Sequence, residues 1–382
     1  MPSNAFAGAQ LSIDLDAIAA NWRALAARLE AGARAGAVVK ADAYGLGMAA
    51  VAPALHGAGC RDFFTASLDE AIALRAVQAD CRIYAFFGPL PGEAAEYSRH
   101  ALTPVLNDLG QIELWRAHIH QGGTQKAVLH IDSGMSRLGL PPEEVACLVA
   151  EPERLAGLDI ALVMSHLACA EQPETAMNEA QLSEFKTALA ALNPVAAAAE
   201  SSLANSSAIF LGPRFQFDLV RPGAALYGLN PTPGKANPMS EVVRLEGKIL
   251  QVRRVDSPRS VGYGAAHVVT RPSRIATVPV GYADGYLRSA SNQATNRACA
   301  YVRGARVPIV GRVSMDMITL DVTDIPREHA QPGALVNLIG GPHSIDAFAA
   351  EAGTIGYEVL TSLGRRYRRR YIENGIAREG TA

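Results

Sequence analysis

Nowhere in the 382 residues do about eighteen apolar residues run uninterrupted, so no segment has the composition of a membrane-crossing helix. The opening Met1-Pro2-Ser3-Asn4-Ala5-Phe6 lacks a basic stretch followed by an apolar one, which predicts a soluble, cytoplasmic protein without a secretory leader. Neither sign of charge is in excess. The 35 Lys and Arg against 37 Asp and Glu leave a formal net charge of -2, so no broad field favours nucleic acid or membrane, and a small-molecule partner is expected. Cysteine is scarce. The five thiols, Cys60, Cys81, Cys147, Cys169 and Cys299, are odd in number, scattered, and never closely paired as in zinc or redox motifs, which predicts reduced thiols and no metal. One local exception to the even charge is the run 365–371, where arginines alternate with tyrosines. Such a run could grip RNA, but a solvated face is the simpler reading because no extended basic groove accompanies it.

What is present points to two domains, the natural division for this length. Leu15, Ile18, Trp22, Leu25 and Leu29 recur at helical spacing, which predicts a helix over residues 15–29 capped by Asp14. Short apolar strands follow, ending at Lys40 and including Phe63-Phe64 and residues 83–87, 102–106, 127–131 and 160–164. Ser67 and Glu70 form a capping-box pattern before a helix over residues 71–77. Continuous apolar strands alternating with helices predict a parallel (β/α)8 barrel over residues 11–238, of the TIM type, with functional groups at the strands' C-terminal ends. After the proline-rich loop 230–238 the pattern changes. Residues 242–255, 275–280, 299–310 around Gly304, 317–322 and 335–339 read as short antiparallel strands, with one helix over residues 345–352. The second domain is therefore mainly β, over residues 239–382, with residues 1–10 a candidate additional strand of it.

Lys40 closes the apolar run Ala37-Val38-Val39 and opens a glycine-bounded turn containing Tyr44. An amine there can form a Schiff base, and a tyrosine among glycines can hold a phosphate; on these residues alone a solvated lysine at a strand terminus is the favoured reading. The same holds elsewhere: His166 reads as a core or capping group, Arg137 as a rim salt-bridge partner, Met315 as core, and Tyr263, between glycines, as a turn residue.

The longer string from Ala37 to Gly47 resembles the cofactor-attachment motif of alanine racemases, pyridoxal 5'-phosphate enzymes built from a barrel plus a β domain. The likeness continues in order through Asp132 to Gly139, Ser165-His166-Leu167, Asn205-Ser206-Ser207, Arg221-Pro222-Gly223, Gly281 to Gly285 and Gly311 to Met317. It implies an isomerase interconverting L- and D-alanine by two bases, Lys40 serving the D isomer and Tyr263 the L isomer. It also implies a homodimer in which Tyr263 and Met315 reach the other subunit's site. Tyr44, Ser206, Gly223, Ala224 and Tyr357 would hold the cofactor's phosphate, Arg221 its ring nitrogen and Arg137 its phenolic oxygen together with the substrate carboxylate. His166 would couple to Arg221 in tuning Tyr263. Met315 would meet the substrate, and Tyr282, Arg288, Arg312 and Asp316 would line the entrance. An arginine opposite the ring nitrogen leaves the ring unprotonated and weakens it as an electron sink, which favours racemisation over decarboxylation.

One departure stands out. Many family members have a carbamylated lysine at the position of His130, which orients the arginine matching Arg137; imidazole cannot form that carbamate. A chloride-like anion, a nearby carboxylate or water is expected to serve instead, because a buried unpaired guanidinium is costly. Smaller residues than usual, Gly262 and Ala266, also flank Tyr263. The alternatives are a decarboxylase of the same fold, a broader amino-acid racemase, and a cofactor carrier resembling the barrel alone. Supply of D-alanine to peptidoglycan and alanine catabolism are equally compatible roles.

Overall fold

A computed structural model describes residues 7–123, 125–291 and 298–380. Eight parallel segments form the first domain. Seven of them make one ladder: Ala37–Val38, Asp62–Thr65, Arg82–Ala85, Thr103–Leu106, Lys126–His130, Asp159–Met164 and Glu200–Ser202. The eighth, Leu219–Val220, pairs with Arg34–Ala35, and Gly36 and Val38 donate to Val220 O and Pro222 O at 2.9 Å. On its other side Arg221 N donates to Ala204 O at 2.9 Å, so the ladder closes on itself. Closure leaves no exposed edge, and the near-continuous burial of these strands follows from side chains packing both inside the ring and under the outer helices.

At the strands' N-terminal end, Asp62 is almost wholly buried. It accepts from Arg82 at 2.6 Å, Arg34 at 3.1 Å and the Tyr84 hydroxyl at 3.1 Å. Burial pushes its carboxyl up, but the arginines prevail and hold it below the usual range, so this charge is satisfied at the end opposite the candidate site.

The second domain is built on a seven-stranded sheet in the order Ala305–Pro308, Cys299–Val302, Leu335–Ile339, Val243–Lys248, Ala9–Asp14, Arg368–Glu373, Ile376–Glu379. All neighbours are antiparallel except Ala9–Asp14 beside Arg368–Glu373. A three-stranded sheet (Gln251–Val255, Ser273–Val278, Ile318–Asp321) and a hairpin (Arg259–Val261, His267–Val269) complete it. The strand of this sheet nearest the chain's start runs Ala9–Asp14, not over residues 1–10, so residues 11–14 belong to this sheet rather than to the barrel; residues 1–6 lie outside the described residues.

Several expectations change. The first helix is capped by Asp14 but spans Leu15–Ala26, ending at turns before Gly32. A second helix of the β domain, Gly356–Ser362, has only seven residues and no side-chain cap, too little periodic signal to be read. The basic run 365–371 is a solvated face only in part: Arg365 and Arg366 are exposed, but Arg368–Glu373 is a paired strand whose Arg369 donates to Gly45 O at 2.8 Å and whose Tyr371 hydroxyl donates to Leu46 O at 2.8 Å. Among the described residues no helix is long and apolar enough to cross a membrane.

Candidate active site

Strand Ala37–Val38 delivers Lys40 to the barrel mouth, yet Lys40 begins a helical turn rather than ending a strand. Residues 41–44 take φ between 54° and 56°, four consecutive left-handed residues, none of them glycine. Each costs roughly 1–2 kcal/mol, so surrounding bonds must hold the turn. They do. Ala43 N donates to Val39 O, Gly45 N to Ala41 O and Gly47 N to Asp42 O, while Asp42 Oδ1 accepts from Met48 N at 2.7 Å. The bonds from Arg369 and Tyr371 pin the exit of the turn.

Glu70 supplies the last restraint. In a full capping box its carboxylate would return to Ser67 N; instead it accepts from Ala41 N at 2.7 Å and Ala66 N at 2.8 Å, while Ser67 Oγ caps the helix by accepting from Glu70 N. A residue legible only as a helix cap therefore braces the turn that carries Lys40. Local pattern could not reveal this, because Ala41 is 29 residues away.

A cavity of ≈ 680 Å³ opens above these strands. Nine residues singled out from the sequence line it together: Lys40, Tyr44, Arg137, His166, Ser206, Arg221, Gly223, Ala224 and Tyr357. His130 lines it too, with Phe86, Phe87, Leu138 and Asn205 among residues whose role periodicity did not mark. The half-buried Lys40 has its amine pushed below the usual lysine range, chiefly by burial and next by the charge of Arg137, with Glu70 opposing. A larger neutral, nucleophilic fraction results.

Arg221 is buried. Its guanidinium donates to Ser202 Oγ, to Ser165 O at 2.5 Å and to Leu203 O at 3.5 Å, so backbone and hydroxyl dipoles rather than a carboxylate satisfy it. Burial pushes its pKa down to about 9, which leaves it cationic at neutral pH. Beside it, Ser206 Oγ accepts from Gly223 N at 3.0 Å and Ala225 N at 3.2 Å. A Cβ on Gly223 would lie 2.3 Å from the Tyr44 hydroxyl, so only glycine lets the loop approach that group.

His130 Nδ1 bonds Asn107 Oδ1 at 2.8 Å. Arg137 is exposed at the rim of this chain rather than buried, and among the described residues no carboxylate pairs with it. Asp132, the nearest acid in sequence, instead gathers the N–H groups of Gly134, Met135 and Ser136 and so shapes the loop bearing Arg137. Burial, then the charges of Arg221 and Arg137, push His130 down to about 3 and His166 well below the usual range. Both rings are therefore neutral in the fold. Because the unfolded chain takes up these protons near pH 6.5, stability should be full above that pH and fall toward pH 4, by up to about 1.4 kcal/mol per pH unit for each histidine. Urea midpoints measured from pH 7 to 4 check this. His130→Asn should flatten the decline, and an unchanged slope would show that His130 does not contribute.

The remaining candidates do not line the cavity of this chain. Tyr263 is 74% exposed in the turn of the hairpin Arg259–Val261/His267–Val269, between Gly262 and Gly264 with φ of 76° and 68°. Met315 and Tyr282 are exposed nearby in the fold, where Ala283 N donates to Met315 O and Tyr282 N to Ser314 O. Arg312 lies against the same hairpin turn, Asp316 pairs with Arg366 at 2.9 Å, and Arg288 is exposed in a one-turn 3-10 helix. One chain thus carries two groups of candidate residues, one around the barrel cavity and one exposed on the β domain.

Comparison with known proteins identifies the family. The family model described as alanine racemase, N-terminal domain, matches residues 13–231, and that for the C-terminal domain matches residues 242–371. An alanine racemase of Rhodospirillum rubrum is 52% identical over 377 residues, 98% of each chain. A catabolic alanine racemase of Mesorhizobium japonicum is 48% identical over 97% of this chain and 95% of its own. The crystal structure of the Bartonella henselae alanine racemase with covalently bound pyridoxal phosphate superposes with a TM-score of 0.90 at 40% identity, covering 96% of this chain and all of that one. With both domain models and full-length relatives matching, this chain belongs to the alanine racemase family.

Proposed function

We propose that the chain interconverts L- and D-alanine using pyridoxal 5'-phosphate, with Lys40 and Tyr263 as the two bases. The observation that carries this is the single cavity uniting Lys40 with a buried arginine, Arg221, whose partners are hydroxyl and backbone oxygens. The residues fit the cofactor. Lys40 would hold it covalently; Tyr44, Ser206, Gly223, Ala224 and Tyr357 would hold its phosphate, where the missing Gly223 side chain leaves backbone N–H groups and hydroxyls converging. Arg221 would face the ring nitrogen and Arg137 the phenolic oxygen. When bound, the cofactor supplies an electron sink for the bond electrons left at the substrate's α-carbon.

The rest of the chemistry belongs to the chain. Lys40, with its lowered affinity for protons, removes or returns the α-proton on one face. Arg137, at the rim, binds the substrate carboxylate. Arg221 stays cationic without transferring a proton to the ring, which keeps the sink weak and suppresses loss of CO2. His166 lies neutral beside it and relays its influence toward the second base. The opposite face needs Tyr263, which this chain leaves exposed beside Met315 and Tyr282. A twofold homodimer supplies it, Tyr263 and Met315 of the partner subunit covering the cavity while Tyr282, Arg288, Arg312 and Asp316 narrow its entrance.

A substrate panel that follows chirality and CO2 together tests the reading. Alanine should racemise with no CO2 released; CO2 from any amino acid at a comparable rate would favour a decarboxylase.

A further inference from the structure

The β domain holds a cluster that this chemistry does not use. Cys299 opens strand Cys299–Val302, His343 lies between strand Leu335–Ile339 and helix Ile345–Glu351, and Glu351 ends that helix. The three deliver one sulfur, one ring nitrogen and one carboxylate whose ligand atoms all lie within 4.8 Å of one another. Cys299 Sγ is 3.5 Å from Glu351 Oε1, and His343 Nε2 is 3.1 Å from Glu351 Oε2. The thiol and imidazole are buried, and the Glu351 side chain, 24% exposed, opens the cluster on one side.

The imidazole indicates what the cluster is built to hold. His343 Nδ1 lies 2.9 Å from Leu338 O, and a carbonyl only accepts, so Nδ1 carries the hydrogen. In the neutral ring Nε2 then turns its lone pair toward the Glu351 carboxylate. Two lone pairs at that distance repel unless a cation, a proton or a metal ion, joins them. An Nδ1–H fixed on a backbone carbonyl with Nε2 aimed at anionic donors is the orienting arrangement of metal-binding histidines. Spacing is compatible: metal bonds of about 2.0–2.3 Å set tetrahedral ligands roughly 3.3–3.8 Å apart, close to the two contacts to Glu351, and all three ligand atoms lie within 4.8 Å of one another.

We propose that Cys299, His343 and Glu351 form a structural site for a zinc-class divalent ion, with a fourth position open to water. Sulfur, imidazole and carboxylate together select zinc over magnesium or calcium, which prefer oxygen alone. Binding releases the thiol proton to solvent and ties strand, turn and helix together through one ion. Arg306 is the competing cation, with its guanidinium beside Cys299 and 3.7 Å from Glu351 Oε1. Its side chain is 49% exposed and can swing outward when the ion enters. The Cys299 N–H, donating to Glu351 Oε2 at 3.1 Å, keeps the carboxylate in place.

The purified full-length enzyme, with thiols reduced and metal stripped by chelator, is dialysed against zinc chloride and its metal content measured. One equivalent of zinc per chain is expected, with a thermal midpoint that rises with zinc concentration and unchanged racemase activity. Cys299→Ser and His343→Gln should lose the equivalent, and Arg306→Ala should bind several-fold more tightly. Cobalt chloride added to the unaltered enzyme should produce a sulfur-to-cobalt charge-transfer band, a readout that needs no variant to fold. Zinc content no higher than that of Cys299→Ser, or a cobalt spectrum without the sulfur band, overturns the proposal.

Discussion

Tyr263→Phe is expected to lower alanine racemisation by about 10²–10⁴-fold, the usual contribution of a positioned general base. The fall in kcat/KM must be equal in both directions, because two enantiomers have an equilibrium constant of one and no variant can alter it. Exchange of the α-hydrogen should divide the two bases more finely. In deuterated water the variant should still wash deuterium into D-alanine, since Lys40 serves that face, but not into L-alanine. Cofactor attachment should persist, because Tyr263 does not line the cavity that holds Lys40. Equal retention of exchange in both isomers would remove Tyr263 from the chemistry.

Lys40→Ala should abolish both covalent cofactor attachment and turnover, since it removes the anchoring amine and one base together. Borohydride reduction followed by peptide mapping should find the pyridoxyl label on Lys40 in the unaltered enzyme and nowhere in the variant. Mixing then tests the shared site. If each site takes Lys40 from one protomer and Tyr263 from the other, refolding equal amounts of Lys40→Ala and Tyr263→Phe together should restore about a quarter of the normal activity, because half of the dimers pair unlike chains and each of these has one intact site of two. No recovery from a mixture shown to contain mixed dimers would place both bases in one chain.

Contiguous chemistry was the most legible part. The string around Lys40, the glycines beside it and the loops bearing Arg137, His166, Ser206 and Arg221 follow buried strands, and a barrel directs such loops to one end. The cavity unites them as a consequence of that geometry. The left-handed course of residues 41–44 was not legible, since none of the four is glycine and each alone disfavours that conformation. It exists because Glu70, Arg369 and Tyr371, from three distant places, hold it. Arg368–Glu373 was hidden for a related reason: its charges mark solvent in isolation, whereas partners on both sides make it an inner strand.

By itself the sequence determined which groups are available: an amine at a strand's end, arginines and a histidine after buried strands, and a tyrosine in a glycine turn. Local spacing also set the order of barrel and β domain, because helix and strand periods are read over a few neighbouring residues. Only the tertiary structure decided which groups meet. It left Tyr263 exposed, away from the cavity of its own chain, moved Arg137 to the rim, and satisfied Arg221 with hydroxyl and carbonyl oxygens. It also joined Cys299 to His343 and Glu351, where spacing along the chain had argued against any metal. Such meetings depend on the packing of elements far apart in sequence, which no local pattern encodes.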